Sequence, residues 1–75
     1  MTLAEMPLQL TVRISGFRTL SESQRCRLGA LGLREGTSVT KLLRTPLRDP
    51  IECLVGPQLL ALESWLLEHI EVEPA

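Results

Sequence analysis

Apolar and polar residues alternate strictly over residues 8–14 of the chain. This period of two predicts a half-buried β-strand, whose inward face would carry Leu8, Leu10, Val12 and Ile14. The Ser15-Gly16 pair that follows is expected to end the strand. Similar patterns predict four more short strands, at residues 37–43, 51–55, 58–62 and 69–73.

One helix is predicted between the first and second strands. Ser21 is followed three residues later by Gln24, which is the spacing of a capping box at a helix start. The helix would span residues 22–31, with Leu28 and Leu31 facing the interior.

Three glycines fall within the ten residues from Arg27 to Gly36. Gly32 is expected to take a left-handed conformation just past the helix, in a Schellman motif that brings Leu33 back onto Leu28. Gly36 suits the third position of a type II turn, where a positive φ is required. For Gly29, inside the helix, the sequence leaves open a close backbone approach or a marginally stable helix.

The predicted elements alternate as β-α-β-β-β-turn-β, where the turn is a single helical turn at residues 63–68. Residues 44–50 contain two prolines and are expected to form an exposed, stiffened hairpin tip. Five short and mostly antiparallel strands cannot cover both faces of an open sheet in so short a chain, so we expect them to curl into a small barrel. The 75 residues are expected to form a single domain.

Composition and charge disfavour several classes of protein. Eight Lys and Arg residues stand against nine Asp and Glu, and the chain has one Trp, one Phe and no Tyr, so phosphate binding and base stacking on nucleic acid are disfavoured. Two isolated cysteines and the lack of a signal peptide favour a reducing cytoplasm. No apolar run approaches the length of a membrane span, and we therefore expect no direct membrane insertion.

Little in the sequence supports an enzyme or a metal site. Cys26, Cys53 and His69 could ligate zinc, but no CxxC or HxxxH spacing places them together. Cys53 alternates with apolar neighbours and is expected to be a small core residue, and His69 to be exposed or at an edge. We therefore expect no catalytic site, no cofactor and no metal.

Two features favour a binding surface instead. The first is a series of basic residues, interpreted either as a solvated face or as a docking surface for an acidic partner: Arg18, Arg25, Arg27, Arg34, Lys41, Arg44 and Arg48. The second is the run Trp65-Leu66-Leu67. A single helical turn buries at most two of these side chains, so one is expected to be exposed. It would then belong to a contact patch for another protein; the alternative is that the three residues simply plug one end of the barrel.

Three stretches together resemble the FeoA family: "RLGALGL" followed by Gly36 and Val39, then "TPLRDP", and then "ALESWLLEHIEV" at the end of the chain. The resemblance covers nearly the whole chain and implies an SH3-like barrel. The chain departs from the family pattern at Glu35, Arg48, Glu63 and Leu67, where proline, glycine, arginine and alanine are usual.

The resemblance further implies a small cytoplasmic accessory protein of bacterial ferrous iron transport, either free or held at the inner membrane by its partner. That partner would be the membrane transporter FeoB, bound through its cytoplasmic GTPase portion. Homo-oligomers, a metal-responsive regulatory domain and a small metal-binding module remain as alternatives. The expected contact residues are Arg25, Leu28, Pro46, Leu47, Arg48, Asp49 and Trp65. An Arg48 that assists GTP hydrolysis in trans is a further, weaker hypothesis.

Overall fold

The structure is a computed structural model that describes residues 1–44, 46 and 49–75. A 3₁₀ turn at Leu3–Glu5 precedes the regular elements. These are β1 (Thr11–Phe17), α1 (Glu22–Ala30), β2 (Ser38–Arg44), β3 (Ile51–Val55), β4 (Gln58–Leu62), α2 (Ser64–Leu67) and β5 (Ile70–Pro74). The predicted order of elements is confirmed.

The five strands form one antiparallel sheet in the order β4-β3-β2-β1-β5. This confirms a mainly β fold with one helix after the first strand. Within the described residues no ladder joins β4 to β5, so the sheet curls without closing into a hydrogen-bonded cylinder. Register shifts in β1 and β2 supply the bending, because a bulge increases the local twist of a strand.

The start of β1 differs from the prediction. Leu8 and Leu10 are 39% and 46% exposed, and the strand begins only at Thr11. Gln9 has a φ of +70° and donates its backbone N–H to the carbonyl of Lys41, 2.7 Å away. This turn breaks the extended backbone, so the alternation of residues 8–10 does not correspond to a buried strand face.

The end of β1 also differs, because Ser15 and Gly16 do not terminate it. The strand continues to Phe17, and the extra residue is taken up by a register shift between Ile14 and Gly16 against β5. A bulge therefore replaces the expected break.

The capping box of α1 is confirmed. Ser21 Oγ accepts a hydrogen bond from the backbone N–H of Gln24 at 3.1 Å, and Ser21 N–H donates to Gln24 Oε1 at 2.8 Å. Leu28 is buried as expected, but Leu31 is 45% exposed. Leu31 is the C-cap residue, one position beyond α1, and its side chain does not lie on the buried face of the helix.

The Schellman motif is confirmed at the end of α1. Leu33 N–H donates to Leu28 O and Gly32 N–H donates to Gly29 O, both at 3.0 Å, with Gly32 at a φ of +95°. Leu33 is fully buried. Gly36 has the positive φ, +89°, that the predicted turn requires.

The interior is filled by aliphatic side chains from every strand and both helices. The buried cluster comprises Leu3, Val12, Ile14, Leu28, Leu33, Val39, Ile51, Cys53, Val55, Leu62, Leu66, Leu67, Ile70 and Val72. Cys53 is thus a core residue, as predicted. Trp65 is 48% exposed whereas Leu66 and Leu67 are buried, so the single turn buries two of the three.

The burial of Lys41 differs from the expectation that this residue belongs to a solvated basic face. Its side chain is only 2% exposed, because the alternation along β2 places it on the inner face with Val39 and directly opposite Cys53 on β3.

Candidate interaction surface

A groove of about 290 Å³ runs between α1 and the β4-α2 corner. Its lining is mostly apolar: Leu20, Leu28, Leu31, Ala61, Leu62, Trp65 and Leu66, with Gln24, Arg27 and Glu63 as the polar members. Leu28 and Leu66 are buried, whereas Leu31 and Trp65 are about half exposed. The groove therefore has a packed floor and accessible walls, which suits it to receive an apolar side chain.

The indole of Trp65 is held in place on one wall. Its Nε1–H donates to Glu63 Oε2 at 3.0 Å, and its ring meets the His69 ring edge to face, with centroids 5.8 Å apart. An aromatic side chain fixed by two contacts loses little conformational freedom on binding. Trp65 is therefore a suitable anchor for a contact.

The hairpin between β2 and β3 reaches α2 through Asp49. Asp49 Oδ1 accepts the backbone N–H of Ser64 at 2.9 Å, and Asp49 Oδ2 accepts the Ser64 hydroxyl at 3.2 Å. Pro46 is exposed. Leu47 and Arg48 lie outside the described residues, so the hypothesis about Arg48 is not addressed by the structure.

The structure brings only part of the expected contact set together. Leu28 and Trp65 share the groove. Asp49 is tied to the residue before Trp65, whereas Arg25 lines a separate shallow depression with Phe17 and Cys26. Sequence reasoning did not pair α1 with the β4-α2 corner, because no periodicity specifies which surfaces meet across the fold.

Two members of the basic series, Arg18 and Arg34, have partners within the chain. Arg18 forms an ion pair with Glu71, which raises the pKa of the guanidinium, and Arg34 Nε–H donates to Gly29 O at 2.9 Å. Lys41 is buried. Lys41 is therefore not part of an exposed basic surface, and the guanidinium of Arg18 already has an acidic partner within the chain.

The structure does not bring the three potential zinc ligands, Cys26, Cys53 and His69, together in one site. Cys26 is exposed and Cys53 is buried, and burial raises the pKa of the Cys53 thiol to about 11. His69 Nδ1 lies 2.9 Å from the carbonyl of Arg18. Across residues 1–44, 46 and 49–75, no three acidic, cysteine or histidine side chains converge as a metal site. No helix in the same ranges is long and apolar enough to cross a membrane.

The chain is similar to a known protein family and to several solved structures. A family profile described as the FeoA domain matches residues 1–74. FeoA from Chlorobium tepidum is 30% identical with a TM-score of 0.87, and the match covers 99% of this chain and 70% of that one. No curated protein sequence matches the chain.

Two further solved structures are similar. Iron(II) transport protein A from Clostridium thermocellum is 27% identical with a TM-score of 0.85; the match covers 100% of this chain but 46% of that one, so our chain spans about half its length. The zinc complex of Stenotrophomonas maltophilia FeoA is 26% identical with a TM-score of 0.79, covering 97% and 89% of the two chains. That protein is described as a prokaryotic SH3 domain protein and a candidate ferrous iron transport activating factor.

Proposed function

Because the chain belongs to the FeoA domain family, we propose that it is a non-enzymatic accessory protein of bacterial ferrous iron transport. In this proposal it binds the cytoplasmic GTPase portion of the FeoB transporter and modulates transport. It acts in the cytoplasm and reaches the inner membrane only through that partner. Both the family membership and the description of the Stenotrophomonas maltophilia relative as a transport activating factor support the proposal.

The groove between α1 and the β4-α2 corner is the observation that carries the proposal. Its exposed apolar walls, Leu31 and Trp65, flank a buried floor, and the exposed polar residues Arg27 and Glu63 also line it. Stable protein contacts commonly combine an apolar centre that includes Trp with a polar rim. The groove has this arrangement.

The proposed occupant is an apolar side chain on a surface segment of the transporter's GTPase portion. It would insert between Leu31 and Trp65, and its neighbours would pair with Arg27 or Glu63. Recognition of this kind uses the surface of the domain and needs no reacting group.

The direct test is a calorimetric titration of the whole chain into the purified cytoplasmic portion of FeoB. It is carried out in reducing buffer, in parallel without nucleotide, with GDP and with a non-hydrolysable GTP analogue. We expect saturable one-to-one binding in at least one nucleotide state. Absence of heat and of co-elution in all three states would overturn the proposal.

A further inference from the structure

A second cavity lies on the other side of α2, at the end of the sheet where β2 and β3 meet the 3₁₀ turn. Its volume is about 430 Å³, and its lining residues are Ala4, Lys41, Arg44, Ile51, Ser64, Trp65, Leu67 and Glu68. Lys41 contributes to this lining although its side chain is only 2% exposed. The cavity wall therefore includes part of a buried lysine.

Among the described residues, the ammonium group of Lys41 has few hydrogen-bond partners. Its only hydrogen bond to a described residue is donated to the carbonyl of Ala4, at 3.3 Å, which is long for such a bond. A lysine carries three N–H donors, and a buried charge is costly unless it is paired. Two donors of Lys41 therefore lack a partner among the described residues.

The charges around the cavity are mainly positive. Burial lowers the pKa of Lys41, and the nearby guanidinium of Arg44 lowers it further. Glu68 is the acidic residue in the lining, but neither cation lies within 4.0 Å of its carboxylate. Opposite Lys41 on β3, the Cys53 thiol has its pKa raised to about 11 and is neutral near pH 7.

We propose that this cavity is a binding site for an oxyanion, a phosphate or carboxylate group held by Lys41 Nζ and by the guanidinium of Arg44. The anion would complete the hydrogen bonds of the buried ammonium and offset the repulsion between the two cations. The Ser64 hydroxyl is not assigned to the anion, because it already donates to Asp49. The proposal does not depend on transporter binding.

The test is an NMR titration of the ¹⁵N-labelled chain with inorganic phosphate and, in a separate series, with sodium acetate. Chloride at matched ionic strength serves as the reference. We expect saturable shifts of the backbone amides of Ala4, Lys41 and Ser64 with at least one anion, and the series that saturates at lower concentration identifies the preferred chemistry. Shifts that equal those in chloride for both anions would overturn the proposal.

Substitutions locate the site. Lys41→Met keeps an unbranched side chain one atom shorter, without the charge, and is expected to weaken anion binding at least about tenfold. Arg13→Ala, at an exposed position on β1, is the matched control and should bind as the unsubstituted chain does. If Lys41→Met does not fold, Arg44→Gln provides the same test with an intact core. Unchanged affinity in the folded variant would overturn the assignment.

Discussion

Asp49 and Ser64 are joined by two hydrogen bonds, one to the backbone N–H and one to the hydroxyl of Ser64. These bonds fix the start of α2 to the end of the β2-β3 hairpin. Glu63, which precedes α2, makes no capping hydrogen bond with its side chain, so Asp49 supplies the acceptor from a distant part of the chain. The hairpin and the segment that carries Trp65 are therefore mechanically connected.

Asp49→Ala is expected to lower the free energy of unfolding by about 1 kcal/mol, as for the loss of a helix cap. Asp49→Asn keeps one acceptor for Ser64 N–H and should lose less. Urea denaturation followed by circular dichroism measures both. Equal stability of all three proteins would show that the two bonds contribute nothing.

Gly29 and Gly32 should respond oppositely to alanine. Gly29 lies inside α1, and an added Cβ would only touch the flexible Arg34 side chain at 3.7 Å, so Gly29→Ala should stabilise the fold by about 0.5 kcal/mol. Among the described residues, no backbone of another segment lies within 4 Å of that Cβ, so a close backbone approach does not explain this glycine.

Gly32 has a φ of +95°, a conformation that alanine adopts only with strain. Gly32→Ala should therefore destabilise the fold by about 1 kcal/mol. The same denaturation series compares it with Gly29→Ala. Changes of the same sign in the two variants would contradict the assigned helix end.

Stability should fall at acidic pH partly through Glu71. The hydrogen bond and charge of Arg18 hold the pKa of the Glu71 carboxyl below its usual value, and a hydrogen bond from Thr2 does the same for Glu5. A carboxyl whose pKa is depressed by folding stabilises the native state above its unfolded pKa, about 4.3, and loses that contribution as the pH falls through the folded pKa.

Glu71→Gln should therefore flatten the dependence of the melting temperature on pH below about pH 4.5. Glu73→Gln, at an exposed carboxylate of the same strand, is the control and should leave that dependence unchanged. Parallel curves for Glu71→Gln and the unsubstituted chain would refute the role of the ion pair.

The two cysteines should differ in reactivity. Cys26 is exposed, whereas Cys53 is fully buried with its pKa raised to about 11, so little of its reactive thiolate forms at pH 8. Iodoacetamide under native conditions should modify Cys26 alone, and Cys26→Ser should abolish the reaction until urea is added. Mass spectrometry measures the adducts, and native labelling of Cys53 would contradict the described core.

The sequence predicts local structure well where a short-range rule applies. The capping box at Ser21, the left-handed Gly32 and the turn at Gly36 each depend on residues within one or two turns, and all three are confirmed. Counting how many side chains one turn can bury also predicted that one of Trp65, Leu66 and Leu67 is exposed, and the structure shows that it is Trp65.

The features that sequence reasoning missed depend on contacts between distant segments. Alternation alone would bury Leu8 and Leu10, but Gln9 bonds to Lys41 and turns the chain. Lys41 was expected in solvent because of its charge, although its place in the β2 alternation puts it on the inner face. The groove forms where α1 meets a corner that lies some thirty residues further along the chain. The sequence pattern does not specify that these two surfaces pack side by side.

The most direct test of the proposed function compares two exposed apolar residues as contacts for FeoB. Trp65 lies in the groove, and Leu59 lies on β4 outside the groove lining and is 62% exposed. By calorimetry, Trp65→Ala should weaken binding to the cytoplasmic portion of FeoB at least about tenfold, and Leu59→Ala should leave it within about twofold. Equal affinities for Trp65→Ala and the unsubstituted chain would contradict the account.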